Sequence, residues 1–433
     1  MLTSRAVVDR LERHSVTIIA IVALVAYGWV YTRPDADPPI RSDGYNYYLY
    51  AASWVVYHDV TLEAVPNDWN GGAYPNFAGM VRWSETDHWV NRIPIGVSVL
   101  MLPFVYGADL ITRWSNLPRD GYSFFYQHAA AFAGVTYFVV GLWLLRAMLR
   151  RHFSTSITLA TLVAVTFGTN LFHYAVNEAT FSHAFSFGLV AALVSLCDAF
   201  WRRSGWHAWH SIALGIVAGL IVLVRHTNLL LLLIVPLWRI DRLRDLLSRR
   251  ADLLAISLVA AVTVAPQLVY DKWASGSWIV NAYAVQGVGF NFASPHLFGA
   301  LFSTQRGVLF WAPVLWAAVA GLVVARGWAA EIRPGALIVL AANAWLIASW
   351  SEWQYGAGFG HRAFIDSLPI VAIFVAACFV RVSETPRLVP AVGIAVALAT
   401  VLSIVQMLQY WMHVWPTRDI TWDQYRSLFL TFQ

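Results

Sequence analysis

The sequence predicts an all-α polytopic membrane protein with about eleven membrane-crossing helices. Of its 433 residues, 59% are hydrophobic and only 12% are charged, a balance that soluble domains of this size do not show. Long apolar runs recur along the whole chain, and a hydrocarbon core about 30 Å thick needs about 20 such residues per helix. The 22 Trp and 18 Tyr residues fit the same class, because their rings favour the boundary between lipid and water.

The apolar runs place the predicted spans and their direction. The spans lie near residues 15–32, 123–145, 156–175, 181–200, 208–224, 227–238, 253–271, 307–325, 335–350, 363–380 and 388–411. A further run, 93–111, is interpreted as a helix that dips into the outer leaflet, because the arginine clusters then all lie on the cytoplasmic side. The N-terminus is then cytoplasmic and the C-terminus extracytoplasmic, and the strong preference for Arg over Lys favours a bacterial cytoplasmic membrane.

We expect a single transmembrane domain over residues 1–433, with its chemistry on the outer side. Large extracytoplasmic loops are predicted at 33–92 and 272–306, and an extracytoplasmic tail at 412–433. The formal charge of +5 comes almost entirely from arginines in short loops, which do not form the continuous basic face of a nucleic-acid-binding protein. Cys197 and Cys378 fall in apolar runs, so they indicate neither a disulfide framework nor a thiolate metal site.

The first outer loop contains the most informative stretch. Aromatic residues at positions 47, 50 and 54 have helical spacing, which predicts an amphipathic helix lying on the membrane. Asp43 stands at or just before the start of that helix. It could cap the helix by accepting hydrogen bonds from backbone amides, or remove a proton from a hydroxyl acceptor, and the two roles are compatible.

A second outer acid follows the third predicted span. Glu178 and His183 are polar residues at the head of an apolar helix, five positions apart, so one helical face does not hold both squarely. His183 has two open interpretations: a hydrogen-bonded histidine between helices or a ligand-binding residue.

Four outer arginines form another candidate group. The apolar stretches 212–224 and 229–238 reach only roughly 20 Å and 15 Å as helices, so their shared turn, with Arg225, should lie below the membrane surface and line a wet or protein-covered cavity. Arg92, Arg306 and Arg362 stand at the outer ends of helices. Each alone is typical of a headgroup anchor, whereas four on one side predict a site for a phosphate or another acidic group.

These residues give the chain a resemblance to an enzyme superfamily. It resembles the C-type glycosyltransferases, integral membrane enzymes that use polyprenyl-phosphate-linked sugars, and especially their poorly characterised bacterial branch. The matching motifs are Ser42-Asp43-Gly44-Tyr45, Asn91-Arg92-Ile93-Pro94-Ile95-Gly96, Asn177-Glu178 with His183, Arg306-Gly307, and Trp353 with Phe359-Gly360-His361-Arg362. Each motif is weak alone, but together they cover most of the chain in the order and sidedness of the superfamily.

The resemblance implies roles for these residues. Asp43 corresponds to the first-loop acid that acts as general base, or as metal ligand in the oligosaccharyltransferase branch, and Glu178 corresponds to the second acid. The substrate-binding residues expected around them are Arg92, Arg225, Arg306, Arg362, His183, His361 and Tyr45.

No metal or other cofactor is expected. Many relatives have two adjacent acids where this chain has Asp43-Gly44, and this departure speaks against the metal-bound variant. The pair Asp35 and Asp37 in a Pro-rich loop is only a weak metal motif. A divalent metal therefore stays possible but has no support in the sequence.

The expected reaction is transfer of a sugar from a polyprenyl-phosphate-linked donor to a glycan, lipid or protein acceptor on the extracytoplasmic face. Positive charge would develop on the sugar and negative charge on the leaving phosphate. Arginines would stabilise that phosphate, and Asp43 would take the acceptor's proton in an inverting single displacement. Aromatic side chains that could stack on sugars, or anchor the loop at the membrane interface, are Trp69, Tyr74, Trp83 and Trp89.

Two alternatives from other classes stay open. A transporter or flippase of a lipid-linked saccharide would share the outer arginines and aromatics but would not need Asp43 as a base. A membrane acyltransferase, or a polymerase or ligase of the same broad superfamily, would more often use a histidine, and His88, His183 and His361 are available.

Overall fold

The computed structural model describes residues 2–64, 79–203, 205 and 207–432, which are mostly helical. The elements of the first half are α1 (Leu2–Arg13), α2 (Ser15–Tyr31), α3 (Asp43–Val55), β1 (Met80–Arg82), β2 (Trp89–Asn91), α4 (Gly96–Thr112), α5 (Phe124–His152), α6 (Thr155–Phe167), α7 (Leu171–Val176), α8 (Ser182–Arg202) and α9 (Ala208–Val224). Strands β1 and β2 form an antiparallel hairpin, with Val81 opposite Val90.

The second half contains long helices separated by short helical pieces. Its α-helices are α10 (Ile234–Leu237), α11 (Asp245–Ser248), α12 (Arg250–Ser275), α13 (Ala282–Val285), α14 (Leu297–Phe302), α15 (Val308–Trp311), α16 (Trp316–Val324), α17 (Trp328–Ser349), α18 (Leu368–Ser383), α19 (Val389–Trp411) and α20 (Trp422–Leu428). Short 3₁₀ helices cover His226–Leu233, Ile240–Arg242, Pro313–Leu315 and Arg362–Ser367.

Among the described residues, six helices are long and apolar enough to cross a membrane, and the bent pair α1 and α2 makes a seventh candidate. The six are α5, α8, α12, α17, Arg362–Ser383 and α19. The chain is therefore an integral membrane protein, but the predicted count of about eleven spans is not confirmed. The other predicted spans, and the dipping run, correspond to shorter apolar helices: Gly96–Thr112, Thr155–Phe167, Ala208–Val224, His226–Leu237 and Pro313–Val324.

Helix breaks account for three of the four predicted spans that are too short, and the fourth, α9, is continuous but has only 17 residues. The predicted span 156–175 is interrupted between α6 and α7, the span 227–238 is mostly a 3₁₀ helix, and the span 307–325 is divided at Pro313. An apolar run shows that a segment avoids water, but proline and local contacts decide where its helix begins and ends.

Arginine–carboxylate pairs connect several helices at one end of the bundle. The pairs are Glu12 with Arg146 (2.8 Å), Asp198 with Arg151 (3.3 Å) and Glu331 with Arg239 (2.9 Å). The positive-inside rule predicted that these arginines share one side of the membrane. In the structure their contacts bring them to one end of the bundle, which we call the arginine end.

Helix α3 lies at the other end, which we call the cavity end. Residues 44–53 of this helix are all buried. Ser98 of α4 donates to the carbonyl of Tyr47 at 2.5 Å, and Asn91 of β2 donates to the carbonyl of Asn46 at 2.9 Å. Because α4 and the hairpin cover α3 in this way, α3 lacks the free face that the predicted amphipathic helix on the membrane would have, and that part of the prediction is wrong.

Helix α4 has both of its ends near the cavity end. At its start, a Cβ on Gly96 would lie 2.3 Å from the backbone of Leu223 in the last turn of α9, so only glycine permits this approach. At its other end, the hydroxyl of Tyr126, in the first turn of α5, donates to Asp109 at 2.8 Å. A helix placed in this way does not run from one end of the bundle to the other. The prediction for the run 93–111 was likewise a helix that dips into one leaflet without crossing.

Candidate active site

A cavity of about 590 Å³ is present at the cavity end. Its walls come from the starts of α3 and α8, the segment after β2, the turn after α9, the segments 280–290 and 350–362, and the C-terminal tail. Its charged lining residues are Asp43, Arg92, Arg225, Glu352, Arg362 and Arg418. Four guanidinium groups against two carboxylates give this lining a net positive charge, which favours an anionic ligand.

Asp43 is the first residue of α3, and its carboxylate lies between two guanidinium groups. Arg362 Nη2 is 2.7 Å from one carboxylate oxygen, and Arg92 Nη2 is 3.4 Å from the other. Ser42 occupies the N-cap position, so the interpretation of Asp43 as the helix cap is wrong. The Asp43 side chain is 24% exposed, which leaves it accessible from the cavity.

A sharp turn directs Arg362 towards Asp43. Gly360 has φ +59°, and a Cβ on it would lie 3.3 Å from the amide of Asn170, so a side chain there would be both strained and crowded. Asn170 donates to the carbonyl of Phe359 at 3.2 Å, which fastens the turn to the loop before α7. The Phe-Gly-His-Arg motif thus has a structural meaning: it reverses the chain just before the arginine.

Arg92 comes directly after β2, and the hairpin holds its backbone. The Arg92 N–H donates to the carbonyl of Gly79 at 2.8 Å. Its guanidinium donates to Gln286 at 3.0 Å and lies 5.2 Å from the ring centroid of Tyr283, a cation–π distance. Arg92 therefore connects Asp43 with the segment 280–290 on the opposite wall.

The turn after α9 brings Arg225 into the cavity, as the short flanking helices predicted. Arg225 Nε is 3.3 Å from one oxygen of Asp366, and the other oxygen is 3.1 Å from Nδ1 of His183. Arg225 Nη1 lies 3.4 Å from His183 Nε2. Since the guanidinium can only donate, Nε2 accepts and Nδ1 carries the hydrogen towards Asp366. His183 therefore fits both of its interpretations, because it also lines the cavity.

Four predicted site residues lie outside the cavity lining: Tyr45, Glu178, Arg306 and His361. Arg306 is buried and donates to three backbone carbonyls, those of Gln305 (2.8 Å), Gly356 (3.0 Å) and Thr417. It therefore holds the C-terminal tail against the segment 350–362. The residue after Thr417 is Arg418, so Arg306 also decides where that cavity arginine lies.

Glu178 is buried next to the cavity. Its carboxylate is 3.5 Å from Nε2 of His173, and Arg41 Nη2 donates to the neighbouring carbonyl of Asn177 at 3.1 Å. Burial favours the neutral acid, but the contact with His173 and the positive charges of Arg41 and Arg362 lower the pKa of Glu178 to about 2. Glu178 is thus a buried carboxylate that balances the charge of the basic groups around it.

His361 is also enclosed by protein. Its ring packs against those of Tyr355 and Phe364, with centroids 5.6 Å and 4.8 Å away. Burial and the positive charges of Arg306 and Arg362 lower the pKa of His361 to about 3. The neutral ring packs between aromatic residues behind the cavity, which does not favour a histidine-based reaction at this position.

Tyr45 and Tyr47 point to different sides of α3, because residues two apart on a helix lie almost opposite each other. Tyr45 stacks on Tyr122 with ring centroids 5.6 Å apart, and the two hydroxyls are 2.6 Å apart. Tyr47 lines the cavity instead, and its hydroxyl accepts a hydrogen bond from Ser182 at 2.9 Å. Of these two tyrosines, Tyr47 therefore lines the cavity and Tyr45 does not.

Sequence reasoning missed three further charged residues of the site: Glu352, which lines the cavity, Asp366 and Arg418. Asp366 lies four positions after Arg362 inside a predicted span, and a lone acid near the outer end of that span was the available signal. Arg418 lies in the tail, where no local pattern distinguishes it. Its side chain is exposed, and within the described part of the chain it forms no ion pair.

Of the four aromatic residues predicted to stack on sugars, Trp83 and Trp89 lie outside the cavity lining. Trp69 and Tyr74 lie outside the described residues. Trp89 packs on Arg82 at 5.3 Å, and Trp83 belongs to a small apolar cluster beside the hairpin. The aromatic residues that do line the cavity are Tyr47, Phe181, Tyr283, Phe290, Trp350 and Tyr355.

The remaining candidates for metal binding and histidine chemistry lie elsewhere. Asp35 is 3.8 Å from Arg33, and His88 is stacked on Trp273 at 4.2 Å. Among the described residues, no three His, Cys, Asp or Glu side chains are grouped as metal ligands would be. Independence from metal stays a prediction.

Comparison with known proteins bears on the fold. No family model and no curated protein matches the sequence. The chain is similar to the crystal structure of ArnT from Cupriavidus metallidurans bound to undecaprenyl phosphate, with a TM-score of 0.57 and 15% identity over 89% of this chain. It spans 64% of the length of that ArnT chain. It is also similar to the archaeal oligosaccharyltransferase AglB from Archaeoglobus fulgidus, in complex with an inhibitory peptide and a dolichol-phosphate, with a TM-score of 0.49 and 12% identity over 96% of this chain and 58% of that one.

Proposed function

We propose that this chain, which has the fold of the polyprenyl-phosphate-dependent C-type glycosyltransferases, transfers a sugar from a polyprenyl-phosphate-linked donor to a glycan, lipid or protein acceptor. One observation carries the proposal: the Asp43 carboxylate lies between Arg92 and Arg362 in an arginine-lined cavity. A proton acceptor and phosphate-binding groups are the two requirements of this reaction. We place it at the extracytoplasmic face of a bacterial cytoplasmic membrane, with the N-terminus inside and the C-terminus outside.

In the proposed reaction, the acceptor hydroxyl attacks the anomeric carbon from the face opposite the phosphate, and its proton passes to Asp43. The bond between the anomeric carbon and the phosphate oxygen breaks, and its electron pair stays on that oxygen. The products are the glycosylated acceptor and polyprenyl phosphate, with inverted configuration at the anomeric carbon. Negative charge grows on the leaving phosphate, so arginines bound to it stabilise the transition state more than the ground state.

The ion pairs of Asp43 imply an exchange of partners when the donor binds. Arg92 and Arg362 both contact this carboxylate, so the donor phosphate competes with it for their guanidinium groups. A carboxylate released from two guanidinium groups is free to accept a hydrogen bond from the acceptor hydroxyl. Donor binding would therefore prepare Asp43 for proton transfer, while Arg225 stays held by Asp366.

The test is release of the lipid phosphate by the purified protein. Reconstituted in nanodiscs, it is incubated with a panel of undecaprenyl-phosphate-linked sugars and acceptors, and undecaprenyl phosphate is measured by mass spectrometry. We expect release by the wild type and none by Asp43→Asn. The matched control is Asp423→Asn, which changes an exposed carboxylate on α20 and should react at the wild-type rate.

Two results would overturn the proposal. Full release by Asp43→Asn would exclude this residue as the base. Movement of intact donor across a liposome membrane, without any released lipid phosphate, would favour the flippase alternative.

A further inference from the structure

The segment that joins α12 to Arg306 has no charged residue. Residues 273–305 contain no Asp, Glu, Lys or Arg, although a loop in water normally carries several. Many of its large apolar side chains are nevertheless exposed: Trp278, Ile279, Val285, Phe292 and Phe298 have exposed fractions of 58%, 83%, 60%, 54% and 75%. An uncharged, exposed apolar surface of this kind fits lipid better than water.

Backbone hydrogen bonds fasten the middle of this segment to the bundle. The N–H groups of Asn291 and His296 donate to the carbonyls of Ser349 and Ala348 at the end of α17, at 2.6 Å and 2.7 Å. Within the segment, the N–H of Val288 donates to the carbonyl of Tyr283 at 3.1 Å. These bonds fasten the segment to a helix that is itself a candidate membrane span.

The neighbouring helices continue the same surface. Leu254, Leu258 and Val262 of α12 are among the exposed apolar side chains, as are Ile338 and Trp345 of α17. Both helices are candidate spans, so these faces are expected to contact lipid. The segment begins where α12 ends and is bonded to the end of α17, so it extends their apolar surface towards the cavity.

The inner side of the segment forms the apolar wall of the cavity. Its lining residues there are Val280, Ala282, Tyr283, Val288 and Phe290, together with Asn281. The opposite wall contains the guanidinium groups described above. A cavity with one apolar and one cationic wall fits a ligand that has an anionic head and a hydrocarbon chain.

We propose that residues 276–305, here called the portal segment, contact the hydrocarbon of the outer leaflet and form the entrance through which the donor's isoprenoid chain reaches the cavity. The inference rests on the proposed function and names the apolar half of its donor site. The phosphate then meets the arginines while the chain passes Val288 and Phe290 out to the lipid.

The first test measures contact with lipid. A bimane label on Phe298→Cys is compared with one on Glu85→Cys, in the exposed turn of the β-hairpin, in bilayers that contain brominated lipids. The native Cys197 and Cys378 are buried and can stay. We expect strong quenching at position 298 and little at position 85. Equal, weak quenching at both positions would overturn the proposal.

The second test measures recognition of the chain. Binding of undecaprenyl phosphate and of geranyl phosphate, which share a phosphate head, is measured for the wild type, Val288→Asp, and the control Val60→Asp in the first loop. We expect the wild type and the control to prefer the long chain by about tenfold or more, which burial of about two methylene groups would supply. Val288→Asp should lose this preference, because a carboxylate at this position obstructs the apolar path of the long chain.

These outcomes separate the portal from the enzymatic proposal. Retention of the full preference by Val288→Asp overturns the portal, even if the wild type transfers sugar. Absence of any preference in the wild type overturns it as well. If the wild type shows the preference but releases no lipid phosphate from any sugar donor, the portal proposal is supported and the proposed reaction is refuted.

Discussion

Replacing Asp43 by Asn separates two proposed roles of the cavity: proton removal from the acceptor and binding of the donor phosphate. The substitution removes a proton acceptor and a negative charge but keeps the size and place of the side chain at the start of α3. Loss of the acceptor should slow the chemical step, whereas loss of the charge frees Arg92 and Arg362 for the donor phosphate. Turnover and donor affinity should therefore change in opposite directions.

The size of each change follows from the contacts. General acid–base catalysis typically contributes about 10²–10⁴-fold to the rate, so kcat should fall by that factor. The side chains of Asp43, Arg362 and Arg92 are 24%, 13% and 21% exposed, which leaves their ion pairs partly screened and worth about 1 kcal/mol each. Release of one arginine from such a pair corresponds to about fivefold tighter binding of a phosphate.

The assay measures both quantities on one preparation. Single-turnover release of undecaprenyl phosphate gives the rate of the chemical step, and calorimetric titration with undecaprenyl phosphate gives the dissociation constant. Asp423→Asn serves as the control for both, and melting temperatures show whether the variants stay folded.

Two results would refute the reasoning. A rate within tenfold of the wild type excludes a general base at position 43. Donor binding that is more than tenfold weaker, at an unchanged melting temperature, would mean that the carboxylate itself holds the donor, and the exchange of arginine partners would be wrong.

Three further substitutions test how the cavity is built. Arg418→Ala should raise the KM of donor or acceptor about tenfold, since an exposed guanidinium bonded to a charged group contributes at the low end of about 1.5–3 kcal/mol, and melting should not change. Arg306→Ala should lower the free energy of unfolding by about 2–4 kcal/mol, because buried carbonyls lose a charged donor, and should expose the tail to protease. Glu178→Gln should cost about 3–5 kcal/mol of stability by leaving basic neighbours unbalanced, with the donor KM unchanged.

Each of these predictions has a contrary outcome. For Arg418, the control is Arg426→Ala on exposed α20, and unchanged KM values in Arg418→Ala would remove the tail from the site. A protease-resistant tail in Arg306→Ala would show that the hydrogen bond from Arg306 to the carbonyl of Thr417 does not hold the tail in place. A Glu178→Gln variant that melts normally but transfers no sugar would make Glu178 a catalytic group.

The membrane class and the arginine end could be predicted because the bilayer imposes simple rules on every span. The number of spans could not, because hydropathy measures the length of an apolar run and not the continuity of its helix. The run 156–175 was predicted as one span, yet its helix is interrupted between Phe167 and Leu171, at the short polar stretch Gly168-Thr169-Asn170. The prediction for α3 was wrong for a related reason: its aromatic spacing predicted one buried face, but residues 44–53 are buried on every side of the helix.

The structure brings together Asp43, Arg92, Arg225 and Arg362, as the predicted sidedness required. Sidedness, however, gives only the depth of a residue and not the direction of its side chain. Arg306 is at the expected end but turns to backbone carbonyls. Asp366 escaped detection because its partners, His183 and Arg225, are remote in sequence.

The hydrogen bond from Arg306 to the carbonyl of Thr417 has a consequence for the biosynthesis of the protein. Groups that face one another in the pocket come from residue 43 at one extreme and residue 418 at the other, and a ribosome inserts helices in order. Asp43 can meet Arg92 early in synthesis, but Arg362 is added only after most of the helices have been made. Prematurely terminated chains that end before residue 417 therefore lack both Arg418 and the contact that positions it, even when all of their helices have been inserted into the bilayer.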